Sequence, residues 1–259
     1  MQRTSFSIPI ARLRAVPLLL VLLLACEEDA LSPLVPEPAG DPGFYPLAVG
    51  SAWTYLSTRH VDFIAPDGSD VRPPIHQRAT TTREIVVQES IAGLVWSVEE
   101  ERSLVDGAEQ PTVTWRRWRE DPTGLYRADL LPSIPPGGAA DVTSVDAARR
   151  FGYPREVGAE WLLRDDDQSA RGTLVNVDVL ASGIGERTTF LVEYRLRDDG
   201  PADWRRFWYS ECGILRSEVR AEVEATDAIS GQQLTIVSTV TTEIVSIQPA
   251  CPGRPALHP

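Results

Sequence analysis

Apolar and polar residues alternate along most of the chain from about residue 80 onward, and helical spacing is nearly absent. In the clearest stretch Phe190, Val192 and Tyr194 alternate with residues of the other face. Successive side chains of a strand point to opposite faces, so this pattern predicts strands with one buried and one solvated face. Parallel sheets would show continuous apolar runs separated by crossover helices. We therefore predict an all-β, antiparallel chain, in which residues 141–150 are the one weak helical candidate.

Two sequence motifs occur twice, in the same order. The pattern Y-P-x-x-V-G-x-x-W covers Tyr45–Trp53 and again Tyr153–Trp161, and Trp115–Arg127 aligns without a gap to Trp204–Arg216. Ordered repeats indicate a tandem duplication of a β unit. We assign the first copy to residues 44–135 and the second to 136–248, followed by a tail at 249–259. The apolar face of each strand must then be hidden in a sandwich of two sheets or in a curved half-barrel.

The N-terminal region has the layout of a secretory signal. Three arginines precede an uncharged apolar run over residues 15–25, which is too short to span a membrane comfortably. The run ends at Cys26 in a segment that resembles the lipobox of bacterial lipoproteins. This resemblance implies cleavage after residue 25 and attachment of fatty acyl chains such as palmitate to that cysteine. Residues 26–43 are acidic and rich in proline, which predicts an extended tether between the membrane and the folded domain.

These features resemble those of a known class of proteins. The run Leu23–Cys26 is similar to the lipobox of bacterial lipoproteins. Tyr45–Gly50 with Trp53 and Tyr55 resembles the opening of a group of uncharacterised bacterial lipoproteins, and Trp208–Leu215 is similar to a strand found late in such chains. A more distant similarity in plan is to lipoprotein carriers of the Lol type, although the helices that cover their sheets have no counterpart here.

The resemblance to lipoproteins implies a location in the cell envelope. In enterobacterial lipoproteins an Asp after the lipidated cysteine favours the inner membrane, whereas here the residue is Glu27. We therefore expect a lipid-anchored protein of the outer membrane. Loss of the three signal arginines takes the net charge from −12 to −15. Such a charge repels phosphate backbones, so nucleic acid is not an expected partner.

Two cysteines remain after lipidation of Cys26. An exported chain reaches compartments where disulfides persist, so a Cys212–Cys251 bridge is one prediction. It would attach the C-terminal tail to the domain. Two unpaired cysteines are the open alternative.

No arrangement of residues in the sequence specifies a reaction. The three histidines, His60, His76 and His258, are scattered, and no nucleophile motif occurs. The acidic run 165–167 lacks the spacing and the glycine of a calcium loop. We predict no enzymatic activity, no cofactor and no metal site.

Aromatic residues on a sheet surface can bind sugars or peptides. Trp53, Trp96, Trp115 and Trp161 fall at apolar-face positions, while Trp118 and Trp208 each lie beside an arginine. We interpret Trp118 and Trp208 as a possible exposed binding surface. The expected function is that of a non-enzymatic, lipid-anchored binding or envelope-assembly protein. The alternative is a carrier of lipid or another apolar ligand in a curved sheet.

Overall fold

A computed structural model describes residues 44–130, 147–153, 155–164, 167–196, 200, 202–227 and 230–249. The predicted signal peptide, Cys26, the tether and Cys251 lie outside these ranges. Twelve strands occur in the described residues: β1 (Ala52–Ile64), β2 (Ile75–Ile91), β3 (Leu94–Val105), β4 (Thr112–Asp121), β5 (Gly124–Leu130), β6 (Ala148–Gly152), β7 (Glu160–Arg164), β8 (Asp167–Ser182), β9 (Gly185–Arg195), β10 (Trp204–Ser210), β11 (Gly213–Thr226) and β12 (Gln233–Gln248).

All twelve strands belong to one antiparallel sheet. Its order is β6-β5-β4-β3-β2-β1-β12-β11-β10-β9-β8-β7, so chain neighbours pair and β1 joins β12. The sheet is curved and nearly closed, with β6 beside β7 at the seam. The all-β prediction is confirmed, and the curved sheet rather than the sandwich is the architecture. Residues 148–150 of the weak helical candidate lie in β6, so that assignment is wrong there.

The sheet has an inner face that carries the core and an outer face. In β9 the residues Phe190, Val192 and Tyr194 point inward, as their alternation predicts. Larger inner residues include Trp53, Trp118 and Phe151, which are at most 1% exposed. They fill one end of the curved sheet with aromatic rings. A smaller cluster around Val61, Phe63 and Leu234 lies at the far end of β1 and β12.

Both copies of the Y-P-x-x-V-G-x-x-W motif form the same turn before a strand. Gly50 and Gly158 have φ angles of +87° and +89°, a region that glycine adopts without a steric penalty. The Gly50 amide donates to the Ile85 carbonyl at 2.8 Å, and the Gly158 amide donates to the Leu174 carbonyl at 2.8 Å. The first copy opens β1 and the second opens β7. This correspondence supports the duplication, which stays a prediction.

The seam between β6 and β7 is closed by a side chain. Trp161 of β7 is 7% exposed, and its Nε1 donates to the Arg149 carbonyl of β6 at 3.2 Å. Its ring lies against Gly152 of β6 and Gly172 of β8, where a Cβ atom would approach within 2.8 Å and 2.5 Å. Glycine at both positions lets the indole fill the seam.

The start of the described chain is anchored in the core. Phe44 stacks on Phe151 at 5.3 Å between ring centroids and meets Phe190 edge-on at 5.4 Å. The amides of Phe44 and Tyr45 donate to the two carboxylate oxygens of Glu120 at 3.2 and 3.3 Å. No helix that could cross a membrane occurs within the described ranges.

Candidate functional site: the charged inner face

The register of the sheet places charged residues on the inner face. Arg83 of β2 lies opposite both Trp53 of β1 and Glu101 of β3. Glu99 in turn lies opposite Ile85 and Arg116. Directly paired residues of antiparallel strands point to the same side. These charges therefore share the face that buries Trp53 and Ile85.

Two arginines and two glutamates form a chain of ion pairs on this face. Arg116 Nη1 lies 3.1 Å from Glu99 Oε1, and Arg116 Nη2 donates to Glu101 Oε1 at 2.9 Å. Arg83 Nε donates to Glu101 Oε2 at 2.6 Å. Burial alone would raise the pKa of Glu101, but the hydrogen bonds and charges of Arg116 and Arg83 outweigh it and lower that pKa to about 2. Glu101 is therefore ionised at neutral pH and lies between the two arginines.

Arg127 of β5 continues the charged row. Its Nε lies 3.2 Å from Asp129 Oδ1, and the same oxygen lies 3.4 Å from Arg116 Nε, so the two arginines share one carboxylate. Asp129 is 61% exposed, which weakens the attraction through solvent screening. Burial, together with the positive charge of Arg150, lowers the pKa of Arg127 to about 10. Arg127 is still charged at neutral pH, but its charge is poorly compensated.

Arg150 of β6 supplies a cation that has no carboxylate partner in the described part of the chain. The pairing of β5 with β6 shifts beyond Leu125, and the resulting bulge leaves Arg150 without a cross-strand partner. Its guanidinium carbon lies 5.9 Å from the ring centroid of Tyr194, on the inner face. No described carboxylate lies within ion-pair distance of Arg150, and its buried Nε has no hydrogen-bond partner. Its neighbour Arg149 points outward, where Nε donates to Tyr126 Oη at 3.0 Å.

Tyrosine hydroxyls lie beside this pair of arginines. Tyr194 Oη and Tyr209 Oη are 2.6 Å apart, and Tyr194 also donates to the Arg150 carbonyl. Burial raises the pKa of Tyr194 well above its usual value, so the hydroxyl stays a neutral donor. The charged row consists of four arginines, Arg83, Arg116, Arg127 and Arg150, and three carboxylates, Glu99, Glu101 and Asp129. The register also places Glu120 and Arg205 on the inner face, opposite Leu125 and Tyr194.

Two surface depressions compete with this site. One, of about 530 Å³, is lined largely by outward residues of β12, β1, β2 and β3, including Thr54, Glu84 and Arg102. Arg102 there is paired with Glu100. The other, of about 520 Å³, lies beside Leu47 and Arg119. Neither contains a cation as poorly compensated as Arg150, so we place the candidate site on the inner face.

The structure separates the two tryptophans proposed as a binding surface. Trp118 is 1% exposed and stacks on Tyr45 at 5.1 Å, so the expectation that it is exposed is wrong. In β4 the register turns Trp118 inward and Trp115 outward, because they are three residues apart. Trp208 is half-buried, with the guanidinium of Arg216 at 5.4 Å from its ring centroid. The two rings do not form one surface.

Cys212 is fully buried and disulfide-bonded. Its carbonyl accepts a hydrogen bond from Trp53 Nε1 at 2.8 Å, which joins the β10–β11 turn to β1. Cys251 lies outside the described residues, so its pairing with Cys212 stays a prediction. The inner arginines were not singled out in the sequence, although Arg116 and Arg127 belong to the repeated motif.

Comparison with known proteins gives structural neighbours of low similarity. No family model and no curated protein matches the chain. A Bacteroides fragilis protein inferred to be exported, with a YmcC-like fold, is 11% identical. It gives a TM-score of 0.40 over 79% of this chain and 98% of its own. A protein from Parabacteroides distasonis inferred to be a lipoprotein is 12% identical, with a TM-score of 0.38 over the same shares. At this level the likeness carries no functional assignment.

Proposed function

We propose that this chain is a non-enzymatic envelope protein, held by lipid on Cys26, that binds an anionic envelope component on the inner face of its curved sheet. The signal sequence and the lipobox support the location. The charged inner face supports the binding role. The ligand group is a carboxylate or a phosphate, because a guanidinium donates to both in a bidentate geometry.

The observation that carries this proposal is that Arg150 lies on the inner face with no ion-pair partner among the described residues. A half-buried guanidinium that has no carboxylate partner among the described residues and lies near a second arginine is disfavoured by burial and by repulsion. An anion that contacts both Arg127 and Arg150 removes both penalties. This positive patch sits in a chain whose formal net charge is −12.

The alternative function, a carrier of wholly apolar molecules, receives less support. A carrier cavity of that kind needs an inner face free of large and charged side chains. Here aromatic rings fill one end of the sheet, and the Arg83–Glu101 row crosses its middle. A ligand with an anionic head and an apolar part fits such a face better than an uncharged lipid.

Native mass spectrometry of the full chain purified from membranes tests the proposal. Dodecyl phosphate serves as the probe and dodecanol as its uncharged counterpart. We expect the wild type to bind dodecyl phosphate and Arg150→Gln to bind it about 10–100-fold more weakly, since a hydrogen bond to a charged group contributes about 1.5–3 kcal/mol. Arg149→Gln is the matched control, because it makes the same charge change on the outer face of the same strand.

Three outcomes contradict the proposal. Equal affinity of the wild type and Arg150→Gln for dodecyl phosphate would place the anion elsewhere. Equal affinity of the wild type for dodecanol and dodecyl phosphate would favour the apolar carrier. The absence of any binding to the wild type would remove the inner-face site.

A further inference from the structure

Two of the three histidines meet on the outer face of the sheet, far apart in sequence. His60 of β1 lies directly opposite His76 of β2 in the strand register. Their Nδ1 atoms are 3.0 Å apart, and their ring centroids are separated by 4.4 Å. His76 is exposed and His60 is 39% exposed. The pair is open to solvent and independent of the inner-face site.

The hydrogen bonds fix how the protons are arranged in this pair. His60 Nε2 lies 2.8 Å from Asp62 Oδ1, so Nε2 carries the proton that it donates to the carboxylate. In neutral His60 the Nδ1 atom is then a lone-pair acceptor that faces His76. His76 Nδ1 must therefore donate its proton across the 3.0 Å gap. A single proton holds the two ring nitrogens together.

We propose that His60 and His76 form a binding site for a divalent transition-metal cation, with Cu²⁺ preferred. The cation takes the place of the shared proton, and that proton moves from Nδ1 to Nε2 of His76 as the ring changes tautomer. Both imidazoles stay neutral and ligate through Nδ1, so charge and protons balance without a further reactant. Solvent completes the coordination shell, since no group of three candidate ligands occurs in the described part of the chain.

The geometry of the two nitrogen atoms favours Cu²⁺ as the bound cation. Metal–nitrogen bonds of about 2.0–2.1 Å to atoms 3.0 Å apart subtend an angle of about 95° at the metal. That angle suits adjacent positions of a tetragonal site, which Cu²⁺ prefers, better than the wider angle of tetrahedral Zn²⁺. The order of affinities of divalent metals for nitrogen ligands also favours Cu²⁺ over Ni²⁺ and Zn²⁺.

Asp62 acts as the positioning residue of the site. Histidines that ligate metals commonly donate their other ring N–H to a carboxylate, which fixes the tautomer and strengthens the ligand. The His60–Asp62 contact already has this arrangement without a metal. Arg78, which lies opposite Thr58 on the same face, is a nearby positive charge that works against binding.

The test is a Cu²⁺ titration of the purified full-length chain, followed by calorimetry and electron paramagnetic resonance. We expect one Cu²⁺ per chain, with hyperfine splitting from two imidazole nitrogens. His60→Gln and His76→Gln should each weaken binding more than 10-fold and leave one nitrogen in the spectrum. Asp62→Asn should weaken binding about 10–100-fold while keeping two nitrogens.

His258→Gln is the control, because His258 is the only other histidine. It should bind Cu²⁺ as the wild type does. Circular dichroism of each variant checks the fold, which surface substitutions should leave unchanged. Unaltered affinity in His76→Gln, a spectrum without two nitrogens in the wild type, or loss of binding in His258→Gln would each overturn the proposal.

Discussion

Replacement of Gly172 by alanine should open the seam of the sheet. An ideal Cβ at this position would lie 2.5 Å from Trp161 Cε2 and 2.6 Å from Nε1, closer than real Cβ contacts. The indole has no free side to move toward, because a Cβ at Gly152 would meet the same ring at 2.8 Å. The added methyl group must therefore either move the buried indole, which breaks its hydrogen bond to the Arg149 carbonyl, or push β8 outward.

The expected loss of stability is the difference between two effects. Overpacking of a filled interior costs about 1–3 kcal/mol. Loss of chain entropy in the unfolded state offsets this by about 0.4–1 kcal/mol. We expect a net loss of about 1–2 kcal/mol. For a domain of this size that corresponds to a fall in Tm of about 2–8 °C.

Thermal and urea unfolding, followed by tryptophan fluorescence, measures this effect. Gly200→Ala is the control, because the nearest atom to its Cβ would be Asp203 Oδ2 at 3.5 Å, an ordinary contact. In a Trp161→Leu background the Gly172→Ala change should lose most of its cost, which gives a coupling energy of about 1 kcal/mol in a double-mutant cycle. The packing argument would be refuted if Gly172→Ala were as stable as the wild type. It would also be refuted if Gly172→Ala lowered the free energy of unfolding equally in the wild-type and Trp161→Leu backgrounds.

Three further predictions concern other parts of the chain. The pKa of Glu101 is depressed in the folded state to about 2, so its stabilising contribution is complete above about pH 4.5 and is lost as the pH falls toward 2. Glu101→Gln should therefore lower the free energy of unfolding by about 3 kcal/mol at pH 7, with the difference from wild type shrinking toward pH 2 in urea titrations. Ala92 has a φ of +50° in the two-residue β2–β3 turn, so Ala92→Asn should raise the stability by about 0.5–1 kcal/mol in thermal unfolding, and an unchanged Tm would contradict it. Cys26→Ser should abolish labelling by a fatty-acid analogue and release a folded chain from the membrane fraction; an unlabelled wild type would show that the lipobox is not used.

Local patterns in the sequence were sufficient for the fold class. Alternation in β9 depends only on the period of a strand, and it correctly placed Phe190, Val192 and Tyr194 on one face. The positive φ of Gly50 and Gly158 also follows from local sequence, because the Val-Gly pair begins each copy of the same turn. Features of this kind need no knowledge of which strands pair.

Features that depend on pairing could not be predicted. In the Trp115–Trp118 segment the two tryptophans point to opposite faces, and only the register with β3 decides that Trp118 is the buried one. The charged row also depends on strand pairing, because Arg83 and Glu101 lie on different strands and meet only through the register of β2 with β3. Arg150 points inward only through a bulge. His60 and His76 are 16 residues apart and meet only through the β1–β2 register.

The position of Phe44 determines how the domain responds to a pull along the chain that precedes it. Tension applied through that chain reaches the protein at a buried aromatic residue rather than at a loose end. We expect the first event under force to be withdrawal of the Phe44 ring from Phe151 and Phe190, together with loss of the two hydrogen bonds that backbone amides donate to Glu120. A domain held at this residue would have to lose part of its aromatic core before its first strand could separate.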